Sequence, residues 1–225
     1  MTIQEYSQSA GMTGLVGLRN CEKNTEIGRM SRFYKQVDFP KIPKHLIRDT
    51  IVDVRHAPDI GYGLTHIRDG KELNACSYTY GKIAHIPLIM WIKQNLKNAP
   101  LDRLSIKTSD GGDSHIIHSD VNRIYHLNYW WDLGGDQVTT SWYQEKGKPL
   151  KRPRSNVGEQ SDSGFVDYAN VERLESVVFE SETWYLFRSD VLHDVINLTG
   201  KRQGLAISFS NDEELNKMNL TLHVD

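Results

Sequence analysis

The sequence predicts a mostly-β single domain, a barrel or sandwich carrying helices on one outer face, and three observations point there. From Leu104 onward the chain breaks into short runs rich in Ile, Val, Tyr, Trp and Thr. Glycine pairs and polar clusters separate those runs as turns do. Helical apolar spacing occurs only ahead of that point, so strands and helices do not alternate and a parallel α/β fold is not expected.

Residues 1–30 are polar and carry Gly11, Gly14 and Gly17, which reads as a loose lead-in or a covering arm. A first helix is expected over 44–52, after Pro43. A second opens at Pro87 and sets Leu88, Ile89, Trp91, Ile92 and Leu96 along one stripe, with Pro100 just past its end. Such a stripe packs on a sheet and carries no chemistry of its own. Strands are then expected over 104–108, 114–118, 124–132 and 137–144, with turns at Gly111-Gly112 and Gly134-Gly135. A polar insert, 145–170, follows. Further strands are expected over 176–179, 183–187, 192–198 and 204–210. The organisation is one domain, 1–225: arm and helices over 1–103, the β core over 104–210 and a tail over 211–225.

Composition bounds the function. Lys+Arg 27 against Asp+Glu 29 leaves a net charge of -2, so no global field draws the chain to nucleic acid or an anionic membrane. Neither is expected as a partner. No run approaches the roughly 18 apolar residues of a membrane span. The N-terminus shows no basic start followed by an apolar core, so no secretion signal is read. Two cysteines, Cys21 and Cys76, are too few for a disulfide scaffold and point to a reducing, cytoplasmic setting. Nothing here bears on oligomeric state.

The residues with chemistry are few. In His118-Ser119-Asp120 the two outer side chains share a face of an extended segment, so both can meet one ion. Such a pair is weak evidence alone: His223-Val224-Asp225 repeats it at the chain end with nothing downstream to complete a site. His193 strengthens it, opening a strand-like run that reaches Arg202 through an Asn/Thr/Gly turn. If that turn closes a tight hairpin centred near Asn197–Leu198, Arg202 lies opposite His193. Along the next run Arg202, Gly204, Ala206, Ser208 and Ser210 share one face, and Leu205, Ile207 and Phe209 share the other. A small, polar face around one guanidinium suits a cavity for a small anion. Two imidazoles and a carboxylate leave open coordination positions, the donor set of non-haem Fe(II) oxygenases, and a guanidinium pairs bidentately with a second carboxylate.

His118-Ser119-Asp120, the Leu127-Asn128 strand, His193-x-Val195, and Gly200-x-Arg202 with its trailing Leu205-x-Ile207-Ser208 together resemble the 2-oxoglutarate/Fe(II)-dependent dioxygenases, in their prolyl- and aspartyl/asparaginyl-hydroxylase-like branch. The resemblance spans roughly residues 104 to 210. It implies a double-stranded β-helix (a jelly-roll or cupin-like barrel) buttressed by the earlier helices. It implies that His118, Asp120 and His193 ligate Fe(II) and that Arg202 holds the distal carboxylate of 2-oxoglutarate. Tyr125, Asn128 and Ser208 are the candidates for the further group that holds this cosubstrate. The implied reaction consumes O2 and 2-oxoglutarate and yields succinate, CO2 and a hydroxylated product, the substrate being a peptide side chain or a small molecule. Two alternatives stay open: a cupin-like metal-binding or structural protein that oxidises nothing, and a metal-dependent hydrolase or isomerase on a similar barrel.

The remaining polar and aromatic residues have plainer readings. His115, three before His118, is expected on the opposite side of its strand, structural or exposed. His126 is expected to pack or cap. Asp194 should point away from the metal as a solvated charge. Tyr129, Trp130, Trp131, Trp142 and Tyr143 divide between a substrate slot and a core, with core the commoner home for such rings. The basic run Lys146, Lys148, Lys151, Arg152 and Arg154 reads as a solvated loop, with a clamp for an acidic partner as the alternative.

Overall fold

The computed structural model describes residues 31–48, 52–53, 65–68, 70–83, 85–120, 123–147 and 168–222. The lead-in at 1–30, most of the insert at 145–170 with its basic run, and the second His-x-Asp pair at 223–225 fall outside them. In chain order the elements are β1 (Tyr34–Val37), α1 (Lys44–Arg48), β2 (Val52–Asp53), β3 (Thr65–Arg68), β4 (Lys71–Asn74), β5 (Ser77–Ile83) and α2 (Ile86–Asn95). There follow β6 (Leu104–Asp110), β7 (Ser114–His118), β8 (Tyr125–Leu133), β9 (Thr139–Glu145), β10 (Val171–Val178), β11 (Trp184–Arg188), β12 (Leu192–Ile196), β13 (Arg202–Phe209) and α3 (Asp212–Lys217).

All eight strands expected after Leu104 form, and they divide between two antiparallel sheets. A seven-stranded sheet has the order β1-β11-β8-β13-β6-β5-β2, and a four-stranded sheet has the order β10-β9-β12-β7. The large sheet turns its two faces to different environments. Leu104, Ile106, Leu127, Trp184, Leu186, Leu205, Ile207 and Phe209 point outward and pack with Leu88, Ile92 and Leu96 of the α2 stripe. The helices therefore cover the apolar face. Lys107, His126, Trp130 and Arg202 point inward, toward the small sheet. No helix among the described residues is long and apolar enough to cross a membrane.

Three expectations give way here. The first helix stops at Arg48, and Val52 already belongs to a strand, β2, paired with β5. The segment before Leu104 holds strands as well as helices: β1, β2 and β5 extend the large sheet beyond the predicted core. The third concerns the turn after β12, which closes no hairpin. β12 pairs with β7 and β9, whereas β13 pairs with β6 and β8 in the other sheet. Leu198 explains the crossing, because it is buried with Cys76, Val138 and Val195 and draws the connection inward. The carbonyl of Gly134 then accepts the Thr199 and Gly200 amides at 2.8 and 3.0 Å. Gly134 has φ +80°, which glycine adopts without penalty.

The outer face of the small sheet contains a buried charge, contrary to the solvated reading of Asp194. Its carboxylate is fully buried. Arg68 of β3 donates to it at 2.8 Å, and the hydroxyls of Tyr143 and Tyr168 donate at 2.9 and 2.6 Å. Tyr143 thereby serves this outer cluster, while Trp142 on the inner face stacks with Phe33 and Tyr34. The Arg68–Asp194 pair joins the β3–β4 hairpin to the strand that carries His193. Removing one partner strands a buried charge. Arg68→Met is expected to lower unfolding stability in urea by about 3–5 kcal/mol, and Arg68→Met combined with Asp194→Asn to recover part of that loss.

Candidate metal centre

Between the sheets lies a cavity of about 120 Å³, and His118, Asp120, His193 and Arg202 all line it. The structure thus gathers the four residues that the sequence singled out. His118 and His193 reach it from adjacent strands, directly paired in register across β7 and β12, with ring centroids 4.5 Å apart. Each imidazole is held the same way. His118 Nδ1 lies 2.7 Å from the Ile116 carbonyl, and His193 Nδ1 lies 2.9 Å from the Val191 carbonyl. A carbonyl can only accept, so Nδ1 carries the proton in both rings and Nε2 keeps its lone pair, the tautomer a metal ligand needs. Burial further pushes the His193 pKa down to about 3, which keeps that ring neutral.

Asp120 follows the end of β7 and is pinned by its amide, which donates to the Ser189 carbonyl at 2.7 Å. Its Oδ1 accepts from Arg123 Nη2 at 3.3 Å and lies 4.0 Å from His118 Nε2. Oδ2 is 3.1 Å from His126 Nε2. Burial works against its ionisation, but Arg123, His126, Lys107 and His118 outweigh it and hold the carboxyl below the usual carboxylate range. As the side chains are placed, no three His, Cys, Asp or Glu groups among the described residues stand at metal-holding distances. Asp120 is shared between Arg123 and His126.

Arg202 enters from β13 and is 2% exposed, its guanidinium stacked 4.1 Å above the Trp130 ring. Gly204 makes room for that ring: a Cβ there would meet Trp130 Cε3 at 2.5 Å and the Tyr129 carbonyl at 2.6 Å. Of the aromatic residues left between slot and core, Trp130 belongs to the cavity wall. Tyr129 belongs to the outer core beside Trp184, and Trp131 donates to Gln203.

The weaker candidates part company. Tyr125 is turned to the outer core, and its hydroxyl donates to Asp212 at 2.7 Å, so the structure does not bring it to the cavity. Ser208 and Asn128 share the inner faces of their strands with Arg202 and His126, but neither lines the cavity. Asn128 is 1% exposed, and its amide finds no hydrogen-bond partner among the described residues.

Two residues read as bystanders, His115 and His126, line the cavity too, together with Lys107. His115 arrives through a β-bulge. Along β12 two steps lead from His193 to Val195, while along β7 three steps lead from His118 to His115. The extra residue turns His115 to the side of His118, where Nε2 meets Ser109 Oγ at 2.6 Å. A bulge leaves no mark in residue spacing, which explains the miss. His126 lies between Asp120 and Lys107, whose Nζ is 2.5 Å from its Nδ1. Lys107 alternates with Leu104 and Ile106 on β6, and such a pattern ordinarily puts lysine in water. Here the apolar face is claimed by the helices, so lysine points inward. Burial drives its pKa down to about 7, with Asp120 opposing the shift and Arg123 and Arg202 adding to it.

No family model and no curated protein matches the chain. Solved structures similar to it include an oxidoreductase of the 2OG-Fe(II) oxygenase family from Burkholderia pseudomallei, at TM-score 0.39 and 8% identity over 74% of this chain and 76% of that one. The ycfD protein of E. coli is similar at TM-score 0.40 and 14% identity, over 83% of this chain and 52% of that one. A Pseudomonas putida prolyl-4-hydroxylase is similar at TM-score 0.36 and 12% identity, over 79% and 92% respectively.

The Lys107 environment has a pH consequence. Its folded pKa is lowered, so the fold disfavours the charged amine. That penalty is fully present below about 7 and vanishes above the unfolded value near 10.5. Lys107→Met should therefore raise the melting temperature relative to the parent at pH 6, with the difference shrinking steadily toward pH 10 in paired thermal scans.

Proposed function

We propose that the chain is an Fe(II)- and 2-oxoglutarate-dependent oxygenase that hydroxylates a peptide side chain or a small molecule, built on a double-stranded β-helix. The observation that carries this is the paired state of His118 and His193. Two register-matched imidazoles, each locked as the Nδ1–H tautomer by a carbonyl two residues upstream, face one cavity with Asp120. The strand order supports the fold: β6 to β13 divide between the sheets as β11-β8-β13-β6 and β10-β9-β12-β7, switching sheet at every step except the β9–β10 pair, the arrangement of an eight-stranded jelly roll.

His118, Asp120 and His193 would hold the metal. Nitrogen and carboxylate donors without thiolate suit Fe(II) and leave positions open for a chelating cosubstrate. When bound, the metal supplies O2 activation coupled to loss of CO2 from 2-oxoglutarate. The balance is one O2 and one 2-oxoglutarate consumed for one succinate, one CO2 and one hydroxyl group inserted into a C–H bond. Arg202 would take the distal carboxylate, its fork held flat by Trp130 so that less orientational freedom is lost on binding. Phe179, Phe187 and Val195 in the wall keep water from this site and strengthen its charge pairs.

Incubating the chain with Fe(II), ascorbate, O2 and 2-oxoglutarate should release succinate even without a substrate. His193→Ala should abolish release, and Arg202→Met should raise the 2-oxoglutarate requirement about 10- to 100-fold. A chain that binds metal yet never consumes 2-oxoglutarate would be the non-oxidising cupin-like protein instead.

A further inference from the structure

Lys107 is the second buried cation in the cavity wall, 7% exposed. Resting on the oxo-acid reading, we propose that Lys107 is a binding residue for the cosubstrate, its ammonium taking the carboxylate at the metal end while Arg202 takes the distal one. Position argues first. β6 and β13 are neighbours, with Lys107 opposite Gly204 and Ser109 opposite Arg202. Lys107 and Arg202 are thus diagonal neighbours on one inward face, roughly 7–8 Å apart at the backbone. Gly204 puts no side chain between them.

The contacts then say which end each serves. Lys107 Nζ touches His126 Nδ1, and the far nitrogen of the same ring lies 3.1 Å from Asp120. The ammonium is therefore one imidazole away from the candidate metal ligand. The Arg202 guanidinium instead lies over Trp130. Charge argues last. A lysine ammonium has three donors, and among the described residues His126 is the partner that takes one. Asp120, the carboxylate nearest to hand, is already matched by Arg123 at 3.3 Å. A buried cation in that state gains from an incoming carboxylate, which supplies both acceptors and counter-charge. A dicarboxylate meets both cations; a monocarboxylic 2-oxo acid of the same length meets Lys107 alone.

The test is calorimetric, on the full chain loaded with Mn(II) so that no turnover occurs, using 2-oxoglutarate and 2-oxopentanoate, which lacks the distal carboxylate. Lys107→Met is expected to weaken both acids by roughly 10- to 100-fold. Arg202→Met should weaken 2-oxoglutarate alone, and Mn(II) affinity should stay within about threefold of the parent in Lys107→Met. Lys107→Gln, which keeps a hydrogen-bonding group beside His126, carries the same expectations should the methionine variant not fold. The proposal is overturned if both acids bind a Lys107 variant as they bind the parent, or if only 2-oxoglutarate is weakened, which would put Lys107 at the distal end. Loss of Mn(II) itself also overturns it, leaving Lys107 a mere support for Asp120. If the parent shows no metal-dependent binding of 2-oxoglutarate, it is the oxo-acid reading that fails, and this assignment with it.

Discussion

Lys107, Asp120, His126, His193 and Arg202 are all withdrawn from water between two β-sheets, and each such group costs several kcal/mol unless a partner receives it. Their mutual arrangement answers that cost. Arg123 is matched to Asp120, an imidazole is inserted between Asp120 and Lys107, and an indole ring lies beneath Arg202. His118 and His193 each direct Nδ1 to a backbone carbonyl, which leaves Nε2 facing the cavity, and burial keeps the His193 ring neutral. The same wall also carries Ile116, Phe179, Phe187 and Val195, so the charged groups meet within a largely apolar lining.

The outward faces make that interior possible. On the large sheet the apolar side chains are sealed by α1, α2 and α3, which frees the opposite face for polar groups. On the small sheet Asp194, next to His193 in sequence, is anchored from behind by Arg68, Tyr143 and Tyr168. That anchor fixes the rotation of β12, and a strand fixed on one face presents its alternate side chain on the other. The ion pair on the outside and the imidazole on the inside are two consequences of one register.

Much of this was legible in the residues. The eight core strands, the α2 stripe and the alternation of β13 follow from periodicities of 2 and 3.6. His118, Asp120 and His193 line one cavity, and Arg202 reaches it from the opposite sheet and not through the expected hairpin. What escaped depends on pairing. The bulge that turns His115 inward exists only relative to β12, and the crossing after β12 is set by burial of Leu198. Lys107 went unnoticed because an alternating strand does not say which of its faces meets water. Asp194 misleads because Arg68, its partner, lies far away in sequence. Tyr125 sits on a strand rich in site residues, and only the side of the sheet tells it apart from His126.

The claim on which everything else rests is that His118 and His193 hold one metal ion between them, with Asp120. X-ray absorption at the metal edge of the chain loaded anaerobically with one equivalent of Fe(II) tests it directly. Two imidazole nitrogens in the inner coordination sphere of the parent, and one in His193→Ala, are the expected result. An unchanged sphere in His193→Ala, or an ion bound through no imidazole at all, would contradict it.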